Sequence, residues 1–323
     1  MVRFIGIGIE TTYGEAATIT DYIDAVSESI TGGQSFIDVE TAGTRWIRER
    51  VPGPWSESGS FDIIVNADNI TKILKCALGD VTTSDDGGSP AVAYKHEFKP
   101  SSTLPSFTLE VCPDVGSYSR QIVGCGITSL RFEAPARELL TASVDILAAK
   151  EKLISPSTPT FTTRRPFVFY DGQISGLVTA NVEAFRLTIE NDIPDDAFVL
   201  GSRFLPGLRV QGFTVSGELD LTFLDWDAYQ KFLGSASATE PGTTAESYSL
   251  TATFTSPEET GSSVAGFENY ELEFHLPKIY LDTAEAHFDR RDRIVETVRF
   301  TAVYDSTADY VVKVTVVNTK SEP

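Results

Sequence analysis

Apolar and polar residues alternate in this chain over many short runs. Tyr248, Leu250, Ala252 and Phe254 take every second position, as do Tyr270, Leu272 and Phe274, then Val298, Phe300, Ala302 and Tyr304. Phe107, Leu109 and Val111 repeat the pattern, and Val144 and Ile146 continue it. A period of two puts alternate side chains on opposite faces of an extended strand, so each run reads as half-buried β-structure. Clusters rich in Gly, Pro, Ser, Thr and Asp separate the runs at Ser84–Pro90, Pro156–Thr163, Ser235–Ala245 and Ser256–Gly266. These are turn-forming residues. The chain is therefore all-β with short flanking helices, arranged as sandwiches or barrels. One helix is expected over Asp68–Leu78, with Ile70, Ile73, Leu74 and Ala77 on one face and Gly79 as its stop. A second is expected after Asp225 as N-cap, carrying Trp226, Tyr229, Phe232 and Leu233 and stopping at Gly234.

These elements occur twice. A shift of 158 residues aligns positions 43–65 with 201–223 without gaps. Gly43, Arg45, Ser58, Gly59 and Asp62 then meet Gly201, Arg203, Ser216, Gly217 and Asp220. Trp46, Trp55, Phe61, Ile63 and Val65 meet Phe204, Phe213, Leu219, Leu221 and Phe223. The order of elements also repeats: a Gly-[ST]-Arg-aromatic segment, a loop, a Ser-Gly strand, a helix ending in Gly, then strands. A repeat this long is a domain duplication, since solenoid units are far shorter. The competing interpretation is two unrelated β-domains with similar turns. Duplication divides the chain into an N-terminal arm (1–33), a first β-domain (34–155), a linker (156–180) and a second β-domain (181–323).

Charge narrows the function. Asp and Glu number 46 against 26 Lys and Arg, a net charge of −20. Such a surface repels phosphate and anionic lipid, which disfavours gripping DNA or docking on a membrane. It is compatible with a passage through which DNA slides without sticking. Lysine is scarce, 10 against 16 Arg. An acid-rich, lysine-poor surface suits a salt-rich host interior, where screening weakens self-repulsion. No apolar run is long enough to span a bilayer. The opening Met1–Ile9 is too short for a signal-peptide core, so no cleaved export signal is expected.

Catalysis has no candidate constellation. Cys76, Cys112 and Cys125 are an odd count without a CxxC and with no adjacent His, so buried free thiols are expected and zinc is not. His96, His275 and His287 lack a recognisable nucleophile elbow. Asp85-Asp86-Gly87-Gly88 reads as a turn, because it lacks the spaced acids of a calcium loop. Glu285, Asp289, Asp292 and Glu296 are interleaved with Arg290, Arg291 and Arg293, which points to an ion network over a glycosidase pair. Gly6-Ile7-Gly8 has no third glycine and no following helix, so it is no dinucleotide fingerprint. No catalytic, metal or cofactor residue is assigned.

Contact between copies remains. The stretch Val2–Asp21 joins nothing obvious in the first repeat and is read as an arm reaching a neighbour, with Glu10 and Tyr13 as its candidate contacts. The loop Thr44–Trp55 carries Arg45, Trp46, Arg48, Arg50 and Trp55, a pairing of Arg and Trp favoured at protein interfaces. Arg203 and Phe204 are the repeat counterparts of Arg45 and Trp46.

Several stretches, in order, resemble the major tail tube proteins of long-tailed phages and related archaeal viruses. Ile7-Gly-Ile-Glu-Thr-Thr-Tyr-Gly14 is similar to that family's opening. Leu104–Glu110 with Gly124–Leu130 resembles its central hairpin and following strand, and Leu139–Ile146 a later strand. Tyr270–Ile279 resembles a strand entering a Leu-Pro-Lys turn, and Val298–Asp305 with the last strand to Asn318 its ending. The resemblance implies a structural virion protein, assembled in the host cytoplasm, whose β-domains form rings stacked into a conduit for genome ejection. It implies tape measure, tail terminator and distal tail proteins as partners, with DNA passing through unbound. Two tube domains per chain imply a homotrimeric, pseudo-hexameric ring; a plain hexamer is the alternative. The remaining alternatives are another ring-forming tail component, or an adhesin or carbohydrate-binding β-sandwich.

Overall fold

The computed structural model of the chain describes residues 3–114, 116–177, 181–287 and 294–323. In the first half the elements are β1 (Phe4–Ile9), β2 (Asp21–Ile23), β3 (Ala25–Glu28), β4 (Thr31–Val39), β5 (Glu49–Ile64), α1 (Thr71–Leu78), β6 (Gly79–Asp85), β7 (Tyr94–Pro100), β8 (Phe107–Cys112), β9 (Ser119–Pro135), β10 (Thr141–Ala148) and β11 (Lys150–Ile154). The second half carries β12 (Gly172–Ser175), β13 (Val182–Asp192), β14 (Gly212–Thr222), α2 (Asp227–Leu233), β15 (Tyr248–Glu259), β16 (Asn269–His287), β17 (Val295–Ala302) and β18 (Lys313–Asn318). The all-β class with short helices is what the alternation predicts, because strands such as β10, β13 and β17 bury only one face.

Eight strand segments form one antiparallel sheet in the order β3/β4, β5, β10, β9, β13, β14, β17, β16. Its first four members come from the first half and its last four from the second. The junction is the β9–β13 ladder, with Phe132 opposite Leu187 and Leu130 opposite Ile189. The long strands β9 and β16 run out of this sheet into a second layer. The start of β9 pairs with β8 and β11, and the start of β16 with β15 and β18.

The pairing registers recur between the halves. Val144 lies opposite Phe61 and Ile146 opposite Gly59; Val298 lies opposite Leu219 and Phe300 opposite Gly217. The irregularities recur as well. β10 on β9 slips at Asp145/Ile146, and β17 on β16 at Leu281/Thr283. β8 on β9 slips at Phe107/Leu109, and β15 on β16 at Tyr248/Leu250. β3 on β5 slips at Ala25/Ser27, and β13 on β14 at Val182/Ala184. A slip of this kind bends a strand at one chosen place. Three of them at matching places give the halves the same curvature.

The core lies between the layers and is continuous across the junction. Phe132 and Phe274 stack edge-on with centroids 4.7 Å apart, and Phe185 sits 5.8 Å from Phe274. α1 buries Ile73, Leu74, Cys76, Ala77 and Leu78. It begins at Thr71, later than the expected Asp68, because the Asn66 side chain accepts hydrogen bonds from the Asp68 and Asn69 N–H groups and holds a turn there. α2 also begins later than expected, with Trp226 and not Asp225 at its N-cap, because the Asp225 carboxylate accepts a hydrogen bond from the Asp227 N–H at 2.9 Å and holds a turn there; Gly234 ends the helix at φ 129°.

Residues 4–9 do not extend away as an arm. β1 is paired along its whole length by β8 and over Ile5–Ile7 by β2, with Ile5 and Ile7 each 1% exposed. Its glycines make this possible. A Cβ at Gly8 would lie 2.2 Å from the Thr18 carbonyl oxygen, and one at Gly6 2.6 Å from Ile19 Cγ2. Alternation hides this strand from a sequence reading, because it is buried on both faces and shows no polar alternate positions.

Candidate assembly surface

The eight-stranded sheet has one face in the core and one polar face. Ser, Thr, acidic and Arg side chains occupy the polar alternate positions. Arg186 on β13 holds its centre, bonding Glu133 across the junction at 3.0 Å, Glu218 at 2.6 Å and Asp220 at 2.9 Å. Desolvation opposes the charge on this guanidinium, but the hydrogen bonds to Asp220 and Glu133 outweigh it and push its pKa up. Arg299 continues the network to Glu218 at 2.7 Å, and the Thr297 hydroxyl donates to Asp220 at 2.8 Å. Along this face Asp62, Glu133, Asp145, Glu190, Glu218 and Asp220 outnumber Arg131, Arg186 and Arg299.

Both ends of the sheet are open among the described residues. At one end, β3 and β4 have β5 on one edge and no strand on the other. At the far end, Thr283 and Ala284 of β16 are paired by β17 on one edge only. Beyond its start, the hairpin β4–β5 projects with Phe36 44%, Ile37 59%, Trp46 71% and Ile47 44% exposed. Such an apolar surface on a chain this acidic marks an interaction site.

The residues singled out in the sequence fall into three places. Glu10 lies inside the protomer, 8% exposed. Its carboxylate accepts hydrogen bonds from the Gly14 and Gly124 N–H groups at 2.9 and 2.8 Å and from the Ser106 and Thr108 hydroxyls at 2.7 and 2.9 Å. Tyr13 packs beside it against Gly124, and burial pushes its phenol pKa up. The role the structure gives both is to secure the turn after β1. Arg45, Trp46, Arg48 and Arg50 are exposed on the hairpin, with Arg50 bonding Asp38 at 2.8 Å over the Phe36 ring. Trp55, Arg203 and Phe204 come together across the halves. The Trp55 backbone N–H donates to the Arg203 carbonyl at 2.9 Å, Trp55 bridges to Phe204, and the Arg203 guanidinium lies 6.0 Å from the Trp55 ring. Sequence reasoning missed the open strand edges, since an edge is defined by the strand that is not beside it.

Burial or local hydrogen bonds account for the other titratable groups singled out in the sequence. Burial pushes the Cys76 thiol up to about 12 and Cys125 well above its ordinary value, so both are protonated and unreactive. All three cysteines are free. Burial pulls the His96 pKa down, and its ring bonds Thr83, Asn318 and the Lys320 carbonyl. Burial likewise lowers His275, whose ring meets the Tyr310 hydroxyl at 2.9 Å. Asp85 and Asp86 accept hydrogen bonds from Gly87 and Gly88 N–H, the turn expected there. Asp289, Asp292 and the three arginines read as an ion network lie outside the described residues. Glu57 is fully buried; desolvation, then repulsion from Glu151, raises its pKa to about 7. Among the described residues no helix is long and apolar enough to cross a membrane.

A sheet whose two end strands each leave an edge unpaired among the described residues can be extended by further strands. The family model for phage tail tube proteins matches residues 2–302, and the chain belongs to that family. Its members are structural proteins of the virion tail tube, and membership implies self-association into a tube. No curated protein matches this chain.

Proposed function

We propose that this chain arose by duplication of one tube domain, and that three copies close into a ring with pseudo-six-fold symmetry. The carrying observation is the recurrence of three register slips at matching places in the two halves. It makes the β9–β13 junction an internal example of how one tube domain joins the next. A contact that repeats head-to-tail gives a ring when its rotation closes. Three eight-stranded sheets make a barrel of twenty-four strands. At a spacing of about 4.8 Å and a tilt of about 40°, its backbone is about 48 Å across. That leaves an open bore after side chains are added, since far smaller barrels already enclose channels.

The polar sheet face then lines the bore. Its excess of carboxylates repels the phosphates of passing DNA, which keeps the genome from adhering during ejection. Rings stack through axial contacts into the tail tube of a long-tailed virion, around a tape measure protein and capped by terminator and distal tail proteins. Cryo-electron microscopy of the purified chain tests this. The expected result is three chains per ring, stacked rings and an acidic inner wall. Six chains per ring, or a chain that stays monomeric at high concentration, refutes it.

A further inference from the structure

The internal junction allows the contact between copies to be read residue by residue. Resting on the ring proposed above, we infer that the seam between copies is a β-ladder joining the β3–β4 edge of one copy to the β16 edge of the next. In this ladder Gly33 lies opposite Thr283, Gly32 opposite Ala284 and Ile30 opposite Ala286, and Trp46 of the first copy seats on Phe213 of the second.

The register follows from equivalences on the page. β5 and β14 correspond with an offset of 158, so Phe61 matches Leu219. Glu28 faces Phe61 and Phe185 faces Leu219, which equates Glu28 with Phe185; Thr31, opposite Ser58, likewise equates with Thr188, opposite Ser216. On the other side, Val144 faces Leu130 and Val298 faces Ala284, which equates Leu130 with Ala284. The internal junction sets Ile189 opposite Leu130. Its translated copy sets Gly32 opposite Ala284.

Facing is consistent with this register. In the internal junction Leu187, Ile189, Leu130 and Phe132 all point into the core. Of their equivalents, Ile30 and Ala284 are buried on the core side as well, at 2% and 4% exposure, while Gly32 is exposed and Ala286 half-buried in the single copy. A register one residue away would bring core-facing side chains opposite outward ones.

The hairpin supplies a separate observation. Ile193 and Leu205 are 9% and 4% exposed, because the loop carrying them folds onto Leu147 of the first half. Their equivalents Phe36 and Ile47 are 44% and 44% exposed. The same positions are covered where a preceding domain exists in the chain and bare where it does not. What covers them is the second half of another copy. In the same loop Arg203 and Phe204 meet Trp55, so their equivalents Arg45 and Trp46 meet Phe213, the counterpart of Trp55.

The test is a disulfide across the seam. Directly opposed antiparallel residues have Cα atoms about 4.5–5.5 Å apart, within disulfide range. A Cβ at Gly33 meets nothing closer than 3.5 Å, and the three native cysteines are buried. The chain carrying both Gly33→Cys and Thr283→Cys, assembled and then oxidised, is expected to give covalent oligomers up to a trimer on non-reducing gels. Each single variant is expected to give none. A second variant, Trp46→Ala, removes an exposed side chain and leaves folding intact, and is expected to raise the concentration for half-assembly by roughly 10-fold or more. Rings that form with three copies yet stay uncrosslinked, or that ignore Trp46→Ala, overturn the seam while leaving the ring reading standing. A wild-type chain that forms no ring overturns both.

Discussion

Glu10 provides a sharp test of whether the turn after β1 belongs to the protomer or to the contact between copies. Its carboxylate accepts four hydrogen bonds, two from backbone N–H groups and two from hydroxyls, at 2.7–2.9 Å. Glu10→Ala leaves all four donors without it. A buried donor without a partner costs about 1–3 kcal/mol. Hydroxyls can rotate to other acceptors and water can enter beside Gly14, so the lower end applies and the total is about 3–4 kcal/mol. Glu10→Gln keeps one acceptor oxygen and costs about half as much. At a urea dependence of roughly 3 kcal/mol per molar, Glu10→Ala moves the unfolding midpoint down by about 1 M. The assay is urea unfolding followed by far-ultraviolet circular dichroism, beside light scattering of the folded fraction. Folded Glu10→Ala protein should associate as the wild type does. A midpoint within about 0.2 M of wild type, or intact stability with lost association, refutes the argument.

Three further outcomes follow from buried charge and close packing. Glu57 and Glu296 both titrate near 7 when folded, against 4.5 in the free group, so the native state holds extra protons between those values. Stability should therefore fall as pH rises from about 4.5 to about 7, by of order 1–3 kcal/mol for each group. Glu57→Gln should flatten part of that slope in unfolding titrations, Glu57→Gln with Glu296→Gln more of it, and an unchanged slope contradicts the assignment. Gly217→Ala places a Cβ 2.3 Å from Phe300 Cζ and 2.7 Å from the Arg186 carbonyl oxygen, so a loss of about 1–3 kcal/mol is expected in thermal unfolding; an unchanged melting temperature would show that β14 and β17 are more loosely packed. Arg186→Met leaves Glu133, Glu218 and Asp220 facing one another; because the site is one-third exposed, the cost should be only about 1 kcal/mol at low salt and shrink at 1 M salt. A deficit that does not change with salt would mean that packing, and not charge, sets it.

The period-two runs settle that Tyr248–Phe254, Tyr270–Phe274 and Val298–Ala302 are strands, because a half-buried sheet needs that spacing and a helix does not. The 158-residue offset, legible in Ser58-Gly59 and Ser216-Gly217, aligns two segments whose strand registers also correspond. The Ser-Gly pair has a physical reason at its second copy, where the Phe300 ring lies over Gly217. These features are local, so one sequence carries them. Where β1 sits was not legible: Phe4–Ile9 is apolar on both faces, and only its two flanking ladders show it to be interior. Glu10 and Tyr13 look like contact residues in sequence, and only the surrounding Ser106, Thr108 and Gly124 show them turned inward. Nor does any pattern mark Thr283 and Ala284 of β16, or the outer side of β4, as edges left unpaired among the described residues. Alternation reports which face of a strand is buried; which edge is paired depends on hydrogen bonds between segments far apart in the chain, and only the folded molecule decides that.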